Sequence, residues 1–309
     1  MQNIFKEVGS LDVRCYEKFA LSEDILMEHA ADGVADFIRA NFSKEKSITI
    51  ICGKSNNGAD GLALARLLFK EYALHVMVVD GVKSEMAQLQ LKRLDTLGFT
   101  CSSEFKSADI IVDALYGTGF SGEFSDTICK LLKEINALHV VKIACDIPSG
   151  LRSCGAVAKE CFKADFTLTM GALKLSMFSD EAKDFIGDVK VLDLGITREL
   201  YEIDSSYKLL EKSDMKLPFR ATQNTHKGSF GHLCVVSGEK LGASVISSQA
   251  ALSFGVGLCT MLMKSEKSIP YEIMSSSSLH VNTTAIAVGM GLGEAFSDSE
   301  LEDIVASDI

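Results

Sequence analysis

The sequence predicts an α/β protein whose main unit is a three-layer, Rossmann-like, mostly parallel sheet. Apolar runs typical of strands alternate with longer helix-patterned segments through the first two hundred or so residues. The strand runs are almost continuously Val and Ile instead of alternating apolar and polar residues, which indicates strands buried on both faces. Strands joined by helices form right-handed crossovers, and these place helices on both sides of the sheet.

The predicted elements follow one another along the chain. Ala30, Val34, Phe37 and Ile38 have the spacing of one buried helix face. Further helices are predicted at 59–72, 84–97 and 123–137. Strands are predicted at 47–52, 74–80, 108–115, 139–146, 165–170 and 188–195, the last two without a long helix between them.

A second, smaller α/β unit is predicted at 225–309, after a first domain at 1–206 and a polar linker at 207–224 that contains Pro218. Within this unit, strands are predicted at 233–237, at 258–263 and inside 283–293, with a helix at 243–254 and an acidic helical tail. The unit is shorter than an ordinary domain of about 100–150 residues. We therefore expect the sequence to stop at Ile309 inside a domain.

Composition restricts the class of protein and its partners. Hydrophobic residues make up 47% and charged residues 24% of the chain, as in ordinary globular proteins. There is no apolar run of about 18 residues that could cross a bilayer, and the N-terminus lacks the pattern of a secretory signal. Nine cysteines without a Cys-x-x-Cys pair favour reduced thiols in the cytoplasm. The net charge of −11 argues against a nucleic-acid partner.

Three of the predicted strands end in polar loops that contain glycine. Their sequences are "GKSNNGADG", "DALYGTGFSGE" and "DIPSG". The carboxyl ends of parallel strands lie at one edge of a sheet, where ligands bind near the switch in strand order. One such loop alone would be interpreted as a tight turn with helix-capping residues. The three together favour a ligand site.

Two apparent nucleotide motifs in these loops do not match fully. Gly53-Lys54-Ser55 would form a phosphate loop only with a glycine five positions earlier, where the sequence has Ile48. The segment 117–122 is a literal G-x-G-x-x-G, but Asp146 lies beyond the expected distance of about 20 residues for the acidic partner. An NAD-binding Rossmann oxidoreductase therefore stays an alternative.

The same loops carry a set of oxygen donors: Asn57, Asp60, Asp113, Asp146 and Ser149. Carboxylate, amide and hydroxyl oxygens without His or thiolate suit hard cations. Two carboxylates that lie close together raise each other's pKa, which makes one of them a candidate acid or base. We expect Asp146 or Asp113 to take this catalytic role.

These motifs resemble those of the NAD(P)H-hydrate epimerase family. "GKSNNGADGLALARLL", "VDALYGTGFSGE" and "CDIPSGL" occur in the family's order, and "ALSEDILMEHAADGVADFI" resembles its N-terminal helix. The resemblance covers roughly residues 1–206. Lys54, Ser55 and Ala59 depart from the family's Gly-Asn-Gly-Asn-Asn-Gly-Gly-Asp-Gly pattern, but none of the oxygen donors is lost.

The resemblance implies a repair enzyme that interconverts the R and S hydrates of NADH or NADPH. It implies a homo-oligomer acting on a small-molecule substrate, with potassium held by Asn57, Asp113 and Ser149. It also implies substrate binding in the first domain by Asn56, Asn57, Gly58, Ala59, Asp60, Gly117, Thr118, Gly119, Phe120, Ser121, Gly122, Glu123 and Asp146. A binding or scaffold protein that kept the fold without turnover is the other alternative.

The second unit resembles the start of the ADP- or ATP-dependent NAD(P)H-hydrate dehydratase domain, which is ribokinase-like. The matching stretches are "HKGSFGHLCVVSG", "GAS…AALSFGVGLCT" and "VGMGLG", with Ala243 and Gly291 implied on the substrate side. The family's Gly-Thr-Gly-Asp element does not occur in the sequence. We therefore expect ADP or ATP to be used only by a complete dehydratase domain, and no dehydratase activity from these residues.

Overall fold

The computed structural model describes residues 1–216, 219–265 and 267–307, and the chain divides into two compact units, Met1–Asp214 and Met215–Ile309. Pro218, on which the predicted linker partly depends, and Ile309, the predicted stop inside a domain, lie outside the described residues. Within the described residues, no helix is long and apolar enough to cross a membrane. All nine cysteines are free thiols.

The first unit is built around a parallel sheet of six strands, which confirms the predicted fold class. The strands are β2 (Ser47–Cys52), β3 (Ala73–Val78), β4 (Ile110–Ala114), β5 (Val141–Cys145), β6 (Phe166–Met170) and β8 (Asp188–Leu192). Their order is β3-β2-β4-β5-β6-β8. The chain runs outward from β2 to β3 and then returns to the other side of β2 with β4, so the switch in strand order lies between β2 and β4.

Six helices belong to this unit: α1 (Gly9–Phe19), α2 (Glu23–Asn41), α3 (Asn56–Leu68), α4 (Glu85–Thr96), α5 (Asp126–Ala137) and α6 (Arg198–Tyr201). The predicted inner face of α2 is buried, since Ala30, Val34, Phe37 and Ile38 are at most 7% exposed. Glu28 of α2 accepts hydrogen bonds from Arg93 and Gln90 on α4, each at 2.9 Å, and from Arg66 on α3. These contacts fix the three helices relative to one another.

Helix α3 begins earlier than the sequence predicts. It starts at Asn56, whereas the prediction placed 53–58 in a loop and started the helix at 59. Gly58 and Gly61 lower the helix propensity of this segment, because a glycine in a helix costs about 1 kcal/mol relative to alanine. Here packing overrides that preference: a Cβ on Gly61 would lie 2.6 Å from the Ala114 side chain and 2.8 Å from the Cys52 sulfur. The glycine lets the helix press against the sheet.

A small second sheet was missed by the sequence analysis. It consists of β1 (Gln2–Phe5), β7 (Leu173–Lys174) and β9 (Tyr207–Leu209), in the order β7-β1-β9. Strand β9 lies within the residues that the sequence analysis assigned to the linker, yet it pairs antiparallel with β1. Strands of two to four residues carry no periodic signal, and this pairing joins segments far apart in sequence.

The second unit contains a parallel sheet in the order β12-β11-β10-β13. Its elements are β10 (His232–Val236), α7 (Leu241–Phe254), β11 (Leu258–Leu262), β12 (Met274–Ser276), β13 (Ala285–Ala287) and α8 (Asp298–Val305). The sequence predicted three strands and missed β12. The core includes Val235, Cys259 and Met261, each at most 1% exposed.

Candidate active site

A cavity of about 830 Å³ lies at the carboxyl ends of the six-stranded sheet, at the switch between β2 and β4. The loops after β2 and β4 and the residue after β5 line it, as predicted from their polar sequences. Helices α1 and α2 close the opposite side with Asp12, Tyr16, Glu23 and Leu26. The cavity belongs wholly to the first unit.

The structure brings most of the predicted site residues to this cavity. Those that line it are Asn56, Asn57, Asp60, Gly117, Thr118, Gly119, Phe120, Ser121, Glu123 and Asp146. Gly58 and Ala59 in the first turn of α3 and Gly122 in the second loop do not line the cavity, and Asp113 and Ser149 are fully buried next to it. Ala243 and Gly291 lie in the second unit, where a Cβ on Gly291 would be 3.2 Å from that of Ala243. The individual roles of these residues stay predictions.

Two glycines allow the loops to approach closely. A Cβ on Gly53 would lie 1.8 Å from the Leu115 carbonyl oxygen, and a Cβ on Gly58 would lie 1.8 Å from the Gly53 carbonyl oxygen. The end of β2, the first turn of α3 and the end of β4 are therefore in backbone contact. This contact places the Asn57 side chain against Gly117 of the second loop.

Asn57, Asp113 and Ser149 form a group of oxygen donors around the start of the second loop. Asp113 accepts hydrogen bonds from the Ser149 hydroxyl and the Ser149 amide, both at 2.7 Å, and from the Leu115 amide at 3.1 Å. The Ser149 hydroxyl in turn accepts from the Tyr116 amide at 2.9 Å. Asp113 and Ser149 therefore support the backbone next to Asn57.

The Asn57 amide indicates that this group accommodates a ligand. Asn57 is 6% exposed, and neither its nitrogen nor its oxygen has a hydrogen-bond partner in the described part of the chain. A buried amide without a partner costs about 1–3 kcal/mol, so a ligand that satisfied it would be stabilised. The available oxygens suit a hard cation. Among the described residues, no three His, Cys, Asp or Glu side chains are grouped so that they could hold a metal ion. The oxygen donors around Asn57 therefore do not form a carboxylate-rich site of the kind that binds divalent cations.

Burial raises the pKa of Asp113 to about 6, and the hydrogen bonds from Ser149 and Leu115 partly offset this rise. A cation held beside the carboxylate would favour the ionised form and lower the pKa again. The residues present therefore fit a monovalent cation such as potassium.

The carboxylate of Asp146 is held by Lys174, which the sequence analysis missed. Lys174 is 2% exposed, and its ammonium lies 2.5 Å from Asp146 Oδ1, 2.7 Å from the Thr169 hydroxyl and 3.2 Å from the Met170 carbonyl. The Met170 amide also donates to Asp146 Oδ1 at 3.2 Å. The sequence does contain an indication of this ion pair: Lys174 stands within the apolar stretch 172–178, and a lysine that is buried requires a charged partner.

Asp146 also has an unusual backbone conformation. Its φ is 70°, in the left-handed region that few residues other than glycine adopt, although Asp tolerates it better than most. Such residues cluster at functional sites, where the surrounding structure maintains the strain. Here the Lys174 ion pair and the bond from Met170 hold the carboxylate at the cavity wall.

Asp60 provides a second carboxyl group with a different environment. Burial raises its pKa well above the usual value, and the negative charges of Asp146 and Asp12 raise it further. The cavity therefore combines Asp60, whose burial favours the protonated form, with Asp146, whose side chain is paired with the Lys174 ammonium. Two carboxyl groups in such different environments are what acid–base chemistry requires.

Three aromatic rings form an apolar wall in the same cavity. The rings of Phe120 and Phe124 are stacked with their centroids 4.3 Å apart, and Tyr116 lies 5.2 Å from each of them. All three residues line the cavity. Such a wall suits contact with the flat ring of a ligand.

The fold and the site define a doubly wound α/β protein with its ligand cavity at the topological switch point. A family model described as YjeF-related protein N-terminus matches residues 23–176. The NAD(P)H-hydrate epimerase of Elusimicrobium minutum is 32% identical over 213 residues, covering 63% of this chain and 96% of that protein. The chain therefore belongs to the NAD(P)H-hydrate epimerase family, as its motifs predict.

Longer relatives are named as bifunctional enzymes. The bifunctional NAD(P)H-hydrate repair enzyme Nnr of Helicobacter pylori is 38% identical over 303 residues, which cover 94% of this chain and 65% of that enzyme. The Nnr of Archaeoglobus fulgidus is 31% identical over 305 residues, which cover 97% of this chain and 62% of that enzyme. The chain thus spans less than two thirds of the length of these bifunctional relatives. The crystal structure of yeast Ynu0 shares the fold, with a TM-score of 0.52 and 18% identity over 62% of this chain and 87% of that one.

Proposed function

We propose that the first unit interconverts the R and S hydrates of NADH and NADPH. The single observation that carries this proposal is the Asp146 carboxylate, held by buried Lys174 at the wall of a cavity that also contains the buried carboxyl group of Asp60. The relatives that cover the first unit are named for this epimerisation. The aromatic wall and the polar loops provide space for a dinucleotide.

Inversion at C6 of the hydrated nicotinamide requires the bond from C6 to the hydroxyl oxygen, or to the ring nitrogen, to break and to form again on the other face. We propose the first of these routes. A protonated carboxyl donates its proton to the departing hydroxyl, which leaves as water, and the lone pair of the ring nitrogen stabilises the cation at C6. Water then adds to the opposite face and returns a proton to a carboxylate. Asp60 donates the first proton in this scheme, and Asp146, oriented by Lys174, accepts the second; proton exchange with solvent water restores both groups before the next turnover. General acid–base help of this kind contributes about 10²–10⁴-fold.

A potassium ion would be held by the side-chain oxygens of Asn57, Asp113 and Ser149. Two observations support this: the oxygens are grouped together, and the Asn57 amide has no hydrogen-bond partner among the described residues. When bound, the ion would supply positive charge to the cavity and so favour a negatively charged substrate. Asp113 does not line the cavity, so we assign it to support of this group and not to proton transfer.

The test is epimerisation of a purified single hydrate by the full chain and by Asp146→Asn, followed by chromatographic separation of the two epimers. We expect Asp146→Asn to lose about 10²–10⁴-fold in turnover while still binding NAD⁺. Asp95→Asn makes the same chemical change on the exposed surface of α4 and serves as the control. Near-normal turnover of Asp146→Asn would contradict the assignment. Binding without epimerisation by the unmodified chain would favour the scaffold alternative.

Several further properties belong to this proposal. We expect the enzyme to act in the cytoplasm as a homo-oligomer on a small-molecule substrate, without a nucleic-acid or membrane partner. The domains are proposed as an epimerase at 1–206, a linker at 207–224 and a dehydratase-like part at 225–309. ADP or ATP would serve a complete dehydratase domain.

A further inference from the structure

We infer that Asp80 reads the adenosine ribose of the substrate and makes the site prefer the hydrate of NADH over that of NADPH; this inference rests on the proposed function. Asp80 lines the cavity at the carboxyl end of β3, the strand next to β2. In dinucleotide-binding βαβ units, an acidic residue at this place binds the 2′-hydroxyl of the ribose. Asp80 follows the glycines at the start of α3 by about 20 residues, the spacing of that arrangement.

The backbone around Asp80 holds it at the cavity. Asp80 and Gly81 both adopt left-handed conformations, with φ of 59° and 71°. The following residues are tied to the first loop, because the Lys83 and Ser84 amides donate to the Lys54 carbonyl at 2.8 and 3.2 Å. The turn after β3 is therefore fixed against the loop that begins α3.

The neighbours of Asp80 suit an adenosine group. Asp80 and Tyr116 line the same cavity. Burial raises the pKa of the Tyr116 phenol, and the negative charge of Asp80 raises it further. Tyr116 belongs to the aromatic wall with Phe120 and Phe124, which offers a surface for the adenine ring. A carboxylate beside this wall can accept hydrogen bonds from ribose hydroxyls.

The charge of the cavity disfavours a 2′-phosphate. The acidic lining residues are Asp12, Glu23, Asp60, Asp80, Glu123 and Asp146, and the one lining lysine is Lys54. Asp146 is paired with Lys174 and Glu123 with Arg152, and burial raises the pKa of Asp60 and Asp12. Glu23 and Asp80 remain as the acidic lining residues without such compensation. A phosphate group would bring about 1.5–2 further negative charges at neutral pH. Lys54 lies at the start of α3, where a helix N-terminus favours the diphosphate. Asp80 is thus the carboxylate that a 2′-phosphate would meet.

The test is calorimetric titration of the full chain with NAD⁺ and with NADP⁺, which share the adenosine part of the substrate. We expect NAD⁺ to bind about tenfold more tightly at low salt, and the gap to narrow as salt screens the repulsion. Asp80→Asn should bring the two affinities within about threefold of each other. Asp95→Asn, the same change at an exposed position outside the cavity, should leave the ratio unchanged.

Equal or tighter binding of NADP⁺ by the unmodified chain would overturn the inference, as would an unchanged ratio in Asp80→Asn. Epimerisation of both hydrates with no preference in binding would contradict the role of Asp80 and leave the proposed function intact. A clear NAD⁺ preference without epimerisation of either hydrate would reject the proposed function and support the role of Asp80, because binding is measured without turnover.

Discussion

Replacing Lys174 by Met should destabilise the first unit strongly. The ammonium is 2% exposed, and its partner carboxylate on Asp146 is 14% exposed. Removing one partner of a buried ion pair costs about 3–5 kcal/mol, because the other charge stays buried without compensation. Asp146 keeps some contact with solvent, so we expect the lower end, about 3 kcal/mol. Asp146→Asn leaves the Lys174 ammonium buried without its counter-charge and should also cost about 3 kcal/mol, the lower end because the amide oxygen can still accept from Lys174.

The measurement is urea unfolding at pH 7 followed by far-UV circular dichroism, because the chain contains no Trp. The double variant Lys174→Met/Asp146→Asn should cost less than the sum of the single variants, since it leaves no uncompensated charge. Lys92→Met on the exposed surface of α4 is the matched control. A cost below about 1 kcal/mol for Lys174→Met, additive with that of Asp146→Asn, would refute the buried pair.

Three further predictions follow from other parts of the structure. Replacing choline chloride in the buffer with potassium chloride should raise the melting temperature of the first unit, and the increase should be larger above pH 6 than below it. The pKa of Asp113 is raised to about 6, so the ionised carboxylate lowers the stability of the unit as pH rises, and a bound cation offsets this loss. Asn57→Ala should abolish the effect of potassium. Gly58→Ala should disrupt the site and lower the melting temperature, because the new Cβ would lie 1.8 Å from the Gly53 carbonyl oxygen. Gly119→Ala should fold normally, because no atom lies within 4 Å of its new Cβ. Equal melting temperatures for the two variants would argue against the close approach at Gly58. Burial lowers the pKa of His232, so the second unit should lose stability as pH falls below about 6.5, and His232→Asn should flatten this dependence in thermal melts.

The sequence by itself determined the order of the main helices and strands and the place of the ligand site. Strands such as Ser47–Cys52 coincide with the predicted run, because burial on both faces leaves a local apolar signal. The same holds for the buried face of α2. The positions of the polar loops followed from the parallel arrangement, since strand ends in such a sheet share one edge.

Only the tertiary structure decided which groups meet at that edge. The start of α3 at Asn56, the pairing of β1 with β9, and the ion pair between Asp146 and Lys174 all depend on contacts between segments distant in sequence. The position of Asp80 beside the aromatic wall is of the same kind. Periodicity and propensity report the local environment of a residue, whereas a partner across the fold contributes nothing to its own sequence window. The raised pKa of Asp60 and the ion pairing in the cavity therefore follow from packing.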